Sequence, residues 1–257
     1  MSTGFTTITW EVDNGIGTLW LDRPDHLNGI VHTMMRELHE CLHTAAADTS
    51  LAVVILTGRG RAFCPGADLK ADRAADEPLK EAWFDVPLLL HEMPQVTIAA
   101  VNGACAGAGL GFALACDLRY ASSDAKLNTA FLDVAVAGDM GVPWTLPRIV
   151  GAGRARELSL LPRKLTANEA QAIGMVNEVF DGDQLLDEVG SRARRIAAAS
   201  PRARAAMKEH YVAAERQGFA DFLALESSRH MSIASSADTR EAFRAFVEKR
   251  QPIFGGS

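Results

Sequence analysis

Strands alternate with helices over the first two thirds of the chain and the last third is almost wholly helical, which predicts an α/β fold with a helical C-terminal region. Two observations carry that reading. Short apolar runs, at 51–57 and 96–101, end at glycine-containing turns, and short ββα segments recur without a fixed period. From Gln184 onward, cap signals and apolar residues at three-and-four spacing mark one helix after another. With 257 residues, 48% of them hydrophobic and 23% charged, the chain can bury one substantial core. The boundaries expected are a core over 1–195 and a helical region over 196–257.

In order, residues 15–22 read as the first strand, set between Asp-Asn-Gly and Arg-Pro-Asp. Residues 32–47 place Met34, Met35, Leu38, Cys41, Leu42 and Ala45 on one helical face. His39 and His43 are four apart on that helix, but no third ligand is evident, so the pair reads as a solvated face and no metal site is expected. The strand at 51–57 ends in Gly58-Arg59-Gly60-Arg61, and a second turn follows over 62–69. There Pro65 sets one dihedral and Gly66 frees the next, so the turn can present backbone N–H groups. Residues 70–81, rich in charge and alanine, are expected to form a weakly packed helix, and 84–93 an apolar one. The strand at 96–101 breaks at Asn102-Gly103, and a small-residue helix is expected to run on to Asp117.

Short strands are expected at 118–121 and 126–129, a helix at 155–161, and a last strand at 175–180. Thr166 with Glu169 three residues on makes a capping box for a helix over 166–173. Helices are expected at 185–199, 202–217, 219–228 and 238–250, with apolar residues including Phe219, Phe222, Phe243 and Phe246 that require a docking surface.

A net charge of −6 gives no broad basic field for nucleic acid. The uncharged run at 96–116 is rich in alanine and glycine and interrupted by Asn-Gly, which argues against a membrane span. Gly107-Ala108-Gly109-Leu110-Gly111-Phe112 lacks the third glycine of a dinucleotide fingerprint. Cys41, Cys64, Cys105 and Cys116 show no ligand spacing, and no signal peptide is evident, which reads as free thiols in a cytoplasmic compartment.

Taken as an ordered set, several segments resemble the enoyl-CoA hydratase/isomerase (crotonase) superfamily over nearly the whole chain. They are Arg23-Pro24-Asp25-His26-Leu27-Asn28, Ala62-Phe63-Cys64-Pro65-Gly66-Ala67-Asp68-Leu69, Ala99-Ala100-Val101-Asn102-Gly103, Gly107-Ala108-Gly109 and Pro147-Arg148-Ile149-Val150-Gly151. The resemblance implies a crotonase-like spiral of ββα units with a C-terminal helical trimerisation region, assembled as a homotrimer or a dimer of trimers. It implies an acyl-CoA thioester substrate, with no cofactor beyond the coenzyme A that the substrate carries. By position, the N–H groups of Ala67 and Ala108 would hold the thioester oxygen as it becomes an enolate. Two such preorganised donors suit that charge, each worth about a hundred-fold in rate. Substrate contacts would fall on His26, Leu27, Asn28, Asp68, Leu69 and Gly107, with Leu27 and Asn28 near the adenine. Phe246 and Lys249 would reach the coenzyme of a neighbouring subunit.

The departures bear on the reaction. The two glutamates with which hydratases of this family handle water fall on Gly111 and Phe131, and neither can transfer a proton. The family's usual basic residue after Arg-Pro is His26. Asp139, between Gly138 and Gly141 in an uncharged run, is by itself either a turn residue or a placed acid/base. The resemblance puts it where some family isomerases carry their single acid/base and where aromatic acyl-CoA dehalogenases carry a nucleophile. Asp133 is a weaker candidate that faces the same side if its segment is extended. Double-bond isomerisation by Asp139 is the leading expectation. Hydration through Asp139 or Asp133, and a catalytically silent CoA-binding subunit, are the rivals.

Overall fold

The computed structural model describes residues 4–71 and 76–255. The chain opens with a hairpin of β1 (Ile8–Asp13) and β2 (Ile16–Leu21), turned by Asn14 and Gly15 at φ 48° and 75°. Asn-Gly accepts two successive left-handed residues, as a tight hairpin requires. Strand β1 is absent from the sequence reading. It is an edge strand whose last three residues are exposed, so burial imposes no alternation on it.

Helix α1 (His32–Ala47) buries the six apolar residues expected, and Glu37 beside them. The Glu37 carboxylate accepts the N–H and hydroxyl of both Thr6 and Thr7 at 2.6–3.0 Å, tying the chain ahead of β1 to the helix. Burial pushes this carboxyl up, but the four hydrogen bonds outweigh it and hold the group below its ordinary value.

A ββα unit then recurs three times. The first is β3 (Val53–Gly58), β4 (Ala62–Cys64) and α2 (Val86–Glu92). The second is β5 (Val96–Val101), β6 (Ala104–Ala106) and α3 (Ala108–Ala115). The third is β7 (Leu118–Ser122), β8 (Lys126–Asn128) and α4 (Val142–Val150). After them come α5 (Ala152–Leu160), β9 (Leu165–Thr166), α6 (Ala167–Ala172) and β10 (Glu178–Phe180). The first strand of each unit joins a six-stranded sheet ordered β1-β2-β3-β5-β7-β10, and the second joins a smaller sheet ordered β4-β6-β8-β9. Within both sheets, successive units run parallel.

The turns inside the units stack on one another. Asn102 donates to the carbonyls of Gly58 and Gly60, each at 2.9 Å, and its own carbonyl accepts the Gly58 N–H. A Cβ on Gly103 would come within 2.1 Å of the Arg61 carbonyl oxygen, so only glycine lets these turns approach. Strands β4 and β6 correct the sequence reading, which took the first as turn and the second as helix. At three residues each they are too short to show a period of two.

Helix α4 is also missing from the sequence reading, since Pro143 and Pro147 in nine residues argue against a helix. Pro143 sits in the first turn, where its missing N–H is no loss. Burial of Val142, Thr145, Leu146 and Val150 outweighs the cost of Pro147. The capping box at Thr166 and Glu169 is present in both directions. The expected helix at 70–81 does not form over 70–71 and 76–80, and residues 72–75 lie outside the described residues.

Four helices close the chain: α7 (Leu185–Ala197), α8 (Pro201–Ala214), α9 (Phe219–Ala234) and α10 (Ala237–Glu248). Helix α8 is pinned to the body by the buried Lys208. Its ammonium meets the Asp117 carboxylate at 2.8 Å and donates to the carbonyls of Leu90 and Gln95. All four cysteines are buried and unpaired. Among the described residues no helix is long and apolar enough to cross a membrane.

Candidate active site

Two bends, one in each of the first two units, meet at the mouth of an apolar pocket. In the first, Ile30 donates to the Gly66 carbonyl and receives the Asp68 N–H, both at 2.9 Å. That bridge uses the groups flanking Ala67 and turns the Ala67 N–H to the opposite side. In the second, Gly107 stands at φ 52° and Ala108 opens α3, so its N–H is one of the helix's orphan donors. Among the described residues, no hydrogen bond uses the N–H of Ala67 or of Ala108. The bends touch: a Cβ on Gly66 would lie 3.7 Å from the Ala108 nitrogen, and one on Gly107 would lie 3.8 Å from the Gly66 Cα. Those are ordinary contact distances; what favours glycine at both positions is the backbone, at φ 104° and 52°, and the two bends lie side by side.

Ala67, Ala108 and Asp139 line the same cavity, of about 190 Å³, whose apolar wall includes Val31, Met35, Leu79, Phe84 and Met140. One Asp139 oxygen accepts the Met140 N–H at 2.7 Å. Burial raises the Asp139 carboxyl above its ordinary value, and that single hydrogen bond offsets only part of the rise. The carboxylate is held by a contorted loop, with φ of 113°, 47° and 74° at Gly138, Met140 and Gly141. Such conformations in non-glycine residues persist only where packing enforces them. Here Met140 is buried against α3: a Cβ on Gly111 would fall 2.4 Å from the Met140 Cβ. A glutamate at 111 and the present path of the Asp139 loop exclude each other.

The remaining predicted residues divide. Asp68 lines the pocket, and Arg23 pairs with its carboxylate at 3.1 Å while His26 approaches at 3.6 Å. Burial pushes the Asp68 carboxyl up, but the Lys70 N–H and Arg23 more than offset it. Leu27 is half-buried at φ 54°, and Leu69 is 69% exposed. Asn28 is 0% exposed, and its side-chain amide is taken up internally. The side chain donates to the carbonyls of Arg59 and Ala62 and accepts the Arg23 N–H, so it shapes the 23–29 turn from within.

Asp133 is corrected. Its segment is a 3-10 turn, Leu132–Val134, not extended, and the side chain is exposed outside the pocket. Phe131 turns inward, and its ring lies 3.9 Å from where a Cβ on Gly107 would be. Phe246 and Lys249 are exposed on and just after α10, away from the pocket lining. The sequence reading missed Met35 and Met140 as pocket walls. No local signal marks them, because each reaches the cavity only through tertiary packing.

A pair of unspent main-chain donors, a half-buried carboxylate and an apolar cavity define an enzyme site. It is suited to holding a carbonyl oxygen while protons move on neighbouring carbons. Comparison with known proteins agrees. The family model for enoyl-CoA hydratase/isomerase matches residues 11–257. The chain is 37% identical to the 1,2-epoxyphenylacetyl-CoA isomerase of Escherichia coli, over 96% of this chain and 97% of that protein. It is 36% identical to a "probable enoyl-CoA hydratase" of Rhodobacter capsulatus, over 98% and 99%. The crystal structure of an enoyl-CoA hydratase from Bacillus anthracis superposes with a TM-score of 0.91 at 30% identity, covering 98% of this chain and all of that one. The chain belongs to the enoyl-CoA hydratase/isomerase family, and its fold is the crotonase fold.

Proposed function

We propose that this protein moves a double bond within an enoyl-CoA thioester, with Asp139 as its single acid/base. The observation that carries this reading is Asp139 beside the Ala67 and Ala108 N–H groups, the one carboxyl of the three lining the cavity that burial raises, while Asp68 is paired with Arg23 and Asp76 is bound by the N–H groups of His32 and Thr33. The ionised Asp139 removes a proton from C2 of a 3-enoyl thioester. The charge spreads onto the thioester oxygen, where the two amides stabilise it. Asp139 then returns the proton to C4, leaving the 2-enoyl isomer with no net change in atoms or electrons. Burial suits the carboxyl to both halves of the shuttle by bringing its proton affinity toward that of the carbon acid. Hydration would need a second group to manage water; Asp133 lies outside the cavity, and Asp68 and Asp76 are already engaged by Arg23 and by the N–H groups of His32 and Thr33.

A panel of 2-enoyl- and 3-enoyl-CoA thioesters, with products resolved by mass and by double-bond position, tests this reading. Isomerised product of unchanged mass is expected. Product heavier by one water would establish hydration instead, and binding without turnover of any ester would leave a silent subunit.

We further propose that the C-terminal helices assemble the protein as a homotrimer or a dimer of trimers, placing Phe246 and Lys249 over a neighbour's coenzyme. Support comes from the apolar surface these helices leave open, with Phe219, Phe243 and Phe246 between 69% and 84% exposed. Light scattering should give the mass of three or six chains; a monomer at micromolar concentration would end this reading.

A further inference from the structure

One turn beyond Met35 on α1, outside the pocket lining, stands a group that the reaction does not use. His39 and His43 lie one helical turn apart, so both rings emerge on the same side. The fold brings Asp85, at the end of a 3-10 turn spanning Glu81–Asp85, directly beneath them. Its two oxygens are divided between the rings: Oδ1 lies 2.8 Å from His39 Nδ1, and Oδ2 lies 3.4 Å from His43 Nε2. The two imidazoles meet edge to face, with centroids 4.4 Å apart. One ligand atom from each of the three residues falls within 4.8 Å of the others. This supplies the third ligand that the sequence lacks, since Asp85 is more than forty residues away along the chain.

We propose that His39, His43 and Asp85 form a binding site for a divalent transition-metal ion of the zinc class, cross-linking α1 to the turn that precedes α2. Metal–nitrogen and metal–oxygen bonds of about 2.0–2.2 Å put tetrahedral ligand atoms roughly 3.3 Å apart. Each imidazole lies near that distance from one carboxylate oxygen, 2.8 Å from Oδ1 for His39 and 3.4 Å from Oδ2 for His43, so small side-chain rotations bring one atom of each residue into place. Two imidazoles and one carboxylate select zinc, nickel or copper over magnesium or calcium, which demand oxygen ligands. His43 is the outermost of the three, its side chain 52% exposed, so an ion can enter from solvent and keep a fourth position for water. The cross-link joins two walls of the pocket. Met35 lies one turn before His39 on α1, and Phe84 immediately precedes Asp85; both line the cavity beside Asp139. An ion here would hold those walls together without touching the substrate.

The test uses the full-length protein stripped with chelator, titrated calorimetrically with zinc chloride, and melted with and without zinc. One zinc per chain is expected, with a thermal midpoint that rises with zinc concentration by mass action and does not respond to magnesium. His43→Ala and Asp85→Asn, both at accessible positions, should each weaken zinc binding about tenfold or more, a loss of about 1.4 kcal/mol or greater. Both should also abolish the zinc-dependent rise in midpoint. The proposal is overturned if no zinc binds, or if His39→Ala/His43→Ala binds zinc as tightly as the wild type, since the ion would then sit on the other histidines.

Discussion

Replacing Asp139 with Asn should lower kcat by about a hundred- to ten-thousand-fold on every thioester the enzyme accepts, the range spanned by general acid–base catalysis. It should also make the protein more stable at neutral pH. Below the unfolded value of 3.8 the carboxyl is protonated in both folded and unfolded chains, so the wild type and the Asn variant match there. Burial raises the folded value, so as pH climbs through it the wild type must ionise a carboxyl that folding has desolvated, and stability is lost. The neutral amide escapes that loss. The stability gain of Asp139→Asn should therefore be largest near neutrality and vanish as pH falls toward 3.8, read from thermal midpoints across pH. In the wild type the acid limb of kcat should lie above 3.8, because the shuttle begins from the anion. Full turnover by Asp139→Asn would remove Asp139 from the mechanism.

The second large effect concerns a main-chain group. Ala108→Pro deletes one N–H at the first position of α3, where proline is tolerated and where no other hydrogen bond depends on that proton. The expected loss is about a hundred- to a thousand-fold in kcat, with a smaller change in KM, because the donor matters most when the oxygen carries enolate charge. Ala108→Ser keeps the N–H and sets the baseline. Circular dichroism should show α3 retained in both. Equal kcat in the Pro and Ser variants would mean that the Ala108 amide is not a donor to the reacting oxygen.

Much of this site is legible in the chain because its parts are local and chemically unusual. The Pro65-Gly66 bend, the Asn102-Gly103 break and the run from Gly107 leave few backbone paths open, and Asp139 stands out in uncharged surroundings. The long elements were equally plain: α1 shows its apolar stripe over sixteen residues, and β5 its unbroken buried run. Short and compensated elements were not. Three-residue strands carry no measurable period, and α4 survives two prolines only because its other face is buried. Asn28 and Asp133 show the same limit from the side of function. A position matched by resemblance says where a residue sits along the chain, and folding then turned one inward to staple a turn and the other outward to solvent.

Sequence alone determined the order of turns and helices, the pair of glycine bends able to offer bare amides, and the presence of an isolated Asp139 in an uncharged run. Those properties depend on which backbone angles and proton-bearing groups a residue permits, and neighbours within a few positions settle that. Folding determined that Met140 fills the space over Gly111, that Phe131 shields the second bend, and that Asp85 meets His39 and His43. Each of these joins residues twenty-four to forty-six positions apart. Only close packing of whole units, where one methyl group too many displaces a backbone, specifies which distant partner lies opposite.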